Sequence, residues 1–138
     1  MTAEILGKNF PEIEIQRAHR LQECIPPVTD DVREAYFSAL TDSQLHDQVA
    51  HADRAYTHYV KRTTGSDRHE LLICHGNLIR YMVCRVLEVA PTAWVNFTST
   101  NCGITRIVVN SAGNAALLSY NEISHLPLTH LTDNMHVD

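Results

Sequence analysis

The chain has 138 residues, 44% hydrophobic and 20% charged, with 11 basic and 16 acidic side chains and a formal net charge of −5. That length suits one compact domain, able to bury roughly two-thirds of its unfolded surface, and the composition is that of a globular protein. The acidic balance and the lack of a basic stripe exclude general nucleic-acid binding, and no run is long and apolar enough to span a membrane.

No signal or basic transit segment is expected ahead of the domain, so the chain reads as soluble. Cys24, Cys74, Cys84 and Cys102 show no Cys-x-x-Cys spacing and no zinc pattern, so reduced structural thiols are expected. Nothing calls for a metal or cofactor.

Residues 1–8 read as the tail of a helix, with Gly7 at its C-terminal end. After the Asn9-Phe10-Pro11 turn, Glu12 to Ala18 alternates, with Ile13 and Ile15 on one face, and predicts a strand. Pro26 and Pro27 make the loop from Leu21 extended and unable to join a sheet interior. Asp30 to Leu40 reads as irregular or helical, with Tyr36 and Phe37 available to cover a pocket. From Thr41 to Arg62, Leu45, Val49, Ala52, Tyr56 and Tyr59 recur at helical spacing and form one apolar stripe. Thr41 or Ser43 can cap that helix. His46, His51 and His58 lie on it, and a solvated face suits them better than a metal site.

Residues 63–67 form an exit loop. Leu71 to Cys74 is then a short continuous apolar run, which suits a strand buried on both faces. His75-Gly76 breaks it, and Asn77 is a good N-cap for the apolar helix that follows. The order is strand, tight turn, helix, with a histidine on the turn. A helix N-terminus offers free N–H groups and favours an anion. A histidine there is either a satisfied polar residue or an anion ligand, and spacing alone does not choose.

Arg80 and Arg85 fall off the most apolar face and read as surface ion-pair partners. Pro91 to Phe97 predicts a short helix anchored by Trp94. Asn101-Cys102-Gly103 turns the chain into Ile104 to Asn110. Ser111 to Asn114 is a hairpin turn, and Ala115 to Tyr120 returns. One domain is expected over residues 1–134, with a disordered tail past Asn134.

Cys74-His75-Gly76-Asn77-Leu78-Ile79-Arg80-Tyr81 resembles the second histidine motif of the histidine phosphatase (phosphoglycerate mutase-like) superfamily. The run from Ile73 to Trp94, with Cys84-Arg85-Val86-Leu87 and Pro91-Thr92-Ala93-Trp94, is similar to its mitochondrial family of phosphoserine and phosphothreonine protein phosphatases. The likeness extends from Thr2 to about Asn134. It implies an α/β fold, a three-layer α/β/α sandwich with a mixed sheet, lacking here the first central strand. It also implies hydrolysis of a phosphomonoester through a phosphohistidine, without metal or cofactor. His75 matches the second pocket histidine, Gly76 and Asn77 the turn whose amides face phosphate, and Glu23 the acid that protonates the leaving oxygen. By itself Glu23 could be a solvated loop carboxylate.

The family's nucleophile lies in an Arg-His-Gly tripeptide, which does not occur in these 138 residues. Neither pocket arginine has a match. Thr2-Ala3-Glu4-Ile5 resembles the end of the family's Arg-Ala-x-x-Thr-Ala pattern, whose arginine would fall just before Met1. The chain as given is therefore expected to be inactive on a phosphoprotein or small phosphoester. The alternatives are a pseudophosphatase that binds phosphorylated or anionic partners, or an interaction module. An unpaired edge along Leu71 to Cys74 would favour self-association into a homo-oligomer. A mitochondrial location is implied by the resemblance alone.

Overall fold

The computed structural model describes residues 2–131. The tail expected past Asn134 lies outside the described residues. Four helices come first in the chain: α1 (Thr2–Gly7), α2 (Asp30–Tyr36), α3 (Asp42–Tyr59) and α4 (Gly76–Val86). A 3-10 turn at His19–Leu21 and another at Pro91–Asn96 link them to their neighbours, and β1 (Ile104–Val109) and β2 (Ala115–Glu122) form an antiparallel pair. This is an α/β chain of the expected phosphoglycerate mutase-like kind, with a truncated sheet.

Helix α3 starts where its capping chemistry starts. Thr41 accepts from the Gln44 amide, and the Gln44 side chain accepts from the Thr41 amide, a complete capping box. Its inner face buries Ala52 and Ala55, whose small side chains let α3 approach α4 closely. Helix α4 is the central element, with Leu78, Tyr81, Met82, Val83, Cys84 and Val86 all buried. It packs on α3, on β2 and on the Pro91–Asn96 turn. Trp94 is buried there as expected, and its indole N–H donates to the Pro27 carbonyl at 2.7 Å.

The hairpin forms where the turn residues placed it. The Asn110 carboxamide accepts from the Ala112 and Asn114 amides, and Gly113 takes φ 92°, which only glycine adopts freely. At its other end Gly103 has no room for a side chain. A Cβ there would lie 2.2 Å from the Asn121 carboxamide oxygen, which accepts from the Thr100 amide.

Two expected strands do not form. Glu12 to Ala18 makes no ladder, and Ile13 and Ile15 are exposed. Leu71 to Cys74 is also outside any ladder, with Leu71 71% exposed and the next three residues half-buried. An apolar run can be shaped for a sheet interior, but a strand needs a neighbour to accept and donate its hydrogen bonds. Among the described residues the only paired strands are β1 and β2.

Three side chains also depart from expectation. Tyr36 is 76% exposed and lines neither the His75 cavity nor the hollow at 61–68. His51 does not lie on a solvated face. Its Nε2 is shielded without a hydrogen-bond partner, and its ring meets that of His19 edge-on at 5.6 Å. Arg85 does form the expected ion pair, with Asp53, but Arg80 is half-buried and forms no salt bridge among the described residues.

Candidate phosphate site

His75 ends the extended stretch and opens α4. Its backbone is extended (φ −115°, ψ 159°), and its carbonyl accepts the first helical bond, from the Ile79 amide, at 3.0 Å. His75 is therefore the N-cap, and Asn77, expected in that role, lies inside the first turn. The His75 side chain makes no capping hydrogen bond to the first turn of α4. Gly76 is needed because a Cβ would come within 2.8 Å of the Ser99 hydroxyl.

The exposed His75 side chain borders a shallow cavity of about 210 Å³. Ile15, Leu21 and Ile73 supply its apolar wall, and Glu4 and Arg17 supply its charges. Arg17 pairs with Glu4 and holds that carboxyl below the usual carboxylate range. Sequence reading did not find Arg17, because the segment carrying it was assigned to a strand and nothing local ties it to His75. A larger hollow of about 440 Å³ on the exit loop holds Lys61, Arg62 and Arg68, but neither His75 nor Glu23 lines it.

Glu23 does not line the His75 cavity. Its carboxylate is exposed and accepts from the Cys24 amide at 3.2 Å. Its loop is nonetheless fastened to the His75 turn. The Asn77 carboxamide donates across to the Cys24 carbonyl at 3.2 Å. Buried Cys24 and half-buried Cys74 belong to the same packed cluster, which joins the two segments from beneath. The four sequence-derived site residues thus fall on two adjoining segments, with His75, Gly76 and Asn77 on one and Glu23 on the other.

The thiols at this junction are not nucleophiles at neutral pH. Burial pushes Cys24 up to about 12 and Cys74 up to about 11, and the nearby Glu23 charge adds to both. Among the described residues no three His, Cys, Asp or Glu side chains assemble into a metal-holding group.

The profile of the histidine phosphatase superfamily (branch 1) matches residues 1–122. The chain is 30% identical over 129 residues to the mitochondrial serine/threonine-protein phosphatase Pgam5 of Caenorhabditis elegans, covering 91% of this chain and 45% of that protein. It is 28% identical over 139 residues to the Homo sapiens PGAM5 phosphatase, covering 95% of this chain and 46% of that protein. The chain therefore spans slightly less than half the length of these curated relatives.

Proposed function

Because this chain belongs to the histidine phosphatase superfamily (branch 1), we propose that it carries the phosphate-reading half of a phosphohistidine-type phosphomonoester hydrolase. The class of substrate is a phosphoserine or phosphothreonine protein, and the location is mitochondrial. Both follow the named activity and compartment of the relatives.

The observation that carries this reading is the placement of His75. It sits at the N-terminus of α4, where its side chain caps no amide, on the edge of a cavity. In that place the imidazole donates to a phosphoryl oxygen, and the amides of Gly76 and Asn77 face the same charge. Glu23, on the adjoining loop, is the carboxyl group that the motif match assigns to protonating the leaving oxygen. Phosphoryl transfer also needs a nucleophile. The described residues offer none at this site, since the nearby thiols stay protonated and no Arg-His-Gly occurs in the 138 residues. The 138 residues alone therefore bind a phosphoryl group without turning it over.

A second reading is a phosphate- or anion-binding module with no turnover in any context. The placement of Glu23 favours it, because that carboxylate does not line the His75 cavity.

The deciding experiment measures phosphate release from an aryl phosphate and from a phosphothreonine peptide by residues 1–138, with His75→Ala alongside. No release from either protein is expected. Release that disappears in His75→Ala would show a nucleophile within these residues and overturn the inactive-alone reading.

A further inference from the structure

Arg80 is placed as no surface arginine is. Its Nη1 donates to the Phe97 carbonyl at 2.8 Å, its Nη2 to the Asn77 carboxamide oxygen at 2.5 Å, and its Nε to the Gly76 carbonyl at 3.3 Å. The guanidinium lies 4.7 Å from the centroid of the Trp94 ring. Burial lowers its pKa, offset in part by the charges of Tyr120 and Glu23. A half-buried cation is here held by carbonyls and an aromatic face instead of a carboxylate, and a planar fork is the shape that meets several acceptors at once.

Two partners of Arg80 lead to the same loop. Asn77, oriented by its bond to Arg80, donates to the Cys24 carbonyl. Trp94, under the guanidinium, donates to the Pro27 carbonyl. Two tethers therefore reach the Glu23-bearing loop from one residue, one beside Glu23 and one three residues on. Proline at 26 and 27 stiffens the span between them.

We infer that Arg80 is a positioning residue that holds the Glu23 loop in register with the His75 turn, acting through the Asn77 carboxamide and the Trp94 indole. The inference rests on the reading of His75 and Glu23 as one phosphate site. It assigns Arg80 no contact with phosphate.

The test uses the full 138-residue chain labelled for NMR, as wild type, Arg80→Met, Arg80→Lys, Asn77→Ala and the Arg80→Met/Asn77→Ala double variant. The Ile25 amide, which donates to the Gln48 side chain, reports seating of the loop. In Arg80→Met its hydrogen exchange should rise about tenfold or more, as local opening becomes easier. Exchange at Ala55 in α3 and Val108 in β1 should not change. Asn77→Ala should do the same, and the double variant should exceed the larger single effect by less than about twofold, because one linkage is cut twice. Arg80→Lys keeps the charge but not the fork and should lose most of the protection.

Inorganic phosphate is then titrated in. In wild type it should shift both the His75 ring and the Glu23 carboxyl carbon. In Arg80→Met it should still shift His75 but leave Glu23 unmoved, a separation that simple loss of stability would not produce. An unchanged Ile25 rate in Arg80→Met, full protection in Arg80→Lys, or multiplicative effects in the double variant would overturn the assignment. If Arg80→Met does not fold, Arg80→Lys and Asn77→Ala decide it. If phosphate leaves His75 unmoved in wild type, the phosphate-site reading fails, and the Ile25 rates still decide the tether.

Discussion

His75 and Arg17 share a cavity wall, yet only His75 was visible as a site residue from the sequence. The histidine stands in a local motif, a break between an apolar run and an apolar helix, and such a motif can be read along the chain. Arg17 reaches the cavity only because residues 15–18 and Ile73 come to line the same hollow in the folded chain. The same distinction separates Arg85, whose ion pair was foreseen, from Arg80, whose acceptors are carbonyls brought in from Phe97. Asn77 shows a third kind of difference. Its residue type fits an N-cap, but the helix begins two residues earlier and the carboxamide is used across the chain, on Cys24. At this scale the Glu4 carboxylate competes with any anion for Arg17. Glu4→Gln should therefore tighten inorganic phosphate binding by about three- to tenfold at low salt, and Arg17→Ala added to it should remove the gain. A calorimetric titration of the two variants beside wild type measures both. Equal affinity in Glu4→Gln and wild type would show that Arg17 takes no part.

Among the elements, those stabilised by local chemistry were the ones legible in advance. Helix α3 has its stripe and its capping box, α4 its apolar face, and the β1–β2 hairpin its Asn110 and Gly113 turn. The stretches 12–18 and 71–74 have strand-like sequences, but a ladder depends on a neighbour that alternation along one segment cannot reveal. The capping box gives a direct test of how much local chemistry fixes α3. Thr41→Ala removes the acceptor of the Gln44 amide and should destabilise the chain by about 1 kcal/mol. Urea unfolding followed by circular dichroism reads this as a lower midpoint with an unchanged slope. Thr41→Asp, which keeps an acceptor at the same place and adds favourable charge at the helix start, should recover most of the loss.

For the whole molecule, the buried titratable groups set a pH dependence. Cys24 and Cys74 rise from an ordinary value of 9.0 to about 12 and about 11, by burial first. Tyr81 rises from 10.0 to about 12, by burial and then by its hydrogen bond to Asp53. Above pH 9 the unfolded chain gives up these protons while the folded chain keeps them, so the folded state binds more protons. Stability from these groups is fully present below pH 9 and is lost as pH rises toward 12. Denaturation curves collected under reducing conditions from pH 8 to 11 should show that decline. Cys24→Ala should flatten it, and an equally steep decline in that variant would show that Cys24 contributes nothing to it.

The same scale holds the Leu71 to Cys74 stretch, half covered and, among the described residues, outside any ladder, with Leu71 71% exposed. Exposed apolar surface of this kind favours association. We propose that copies of this chain associate through it, and sedimentation of wild type beside Leu71→Lys tests this. Loss of a self-associated species in the variant is expected.

The measurement that bears most directly on the His75 site is an NMR titration of the full chain with a phosphothreonine peptide, following the His75 ring and the Gly76 and Asn77 amides. Saturable shifts at all three, absent with the unphosphorylated peptide and lost at the two amides in His75→Ala, are the result expected of a phosphate-reading turn. Shifts confined to the basic 61–68 loop, with His75 and its two neighbours unmoved, would contradict it.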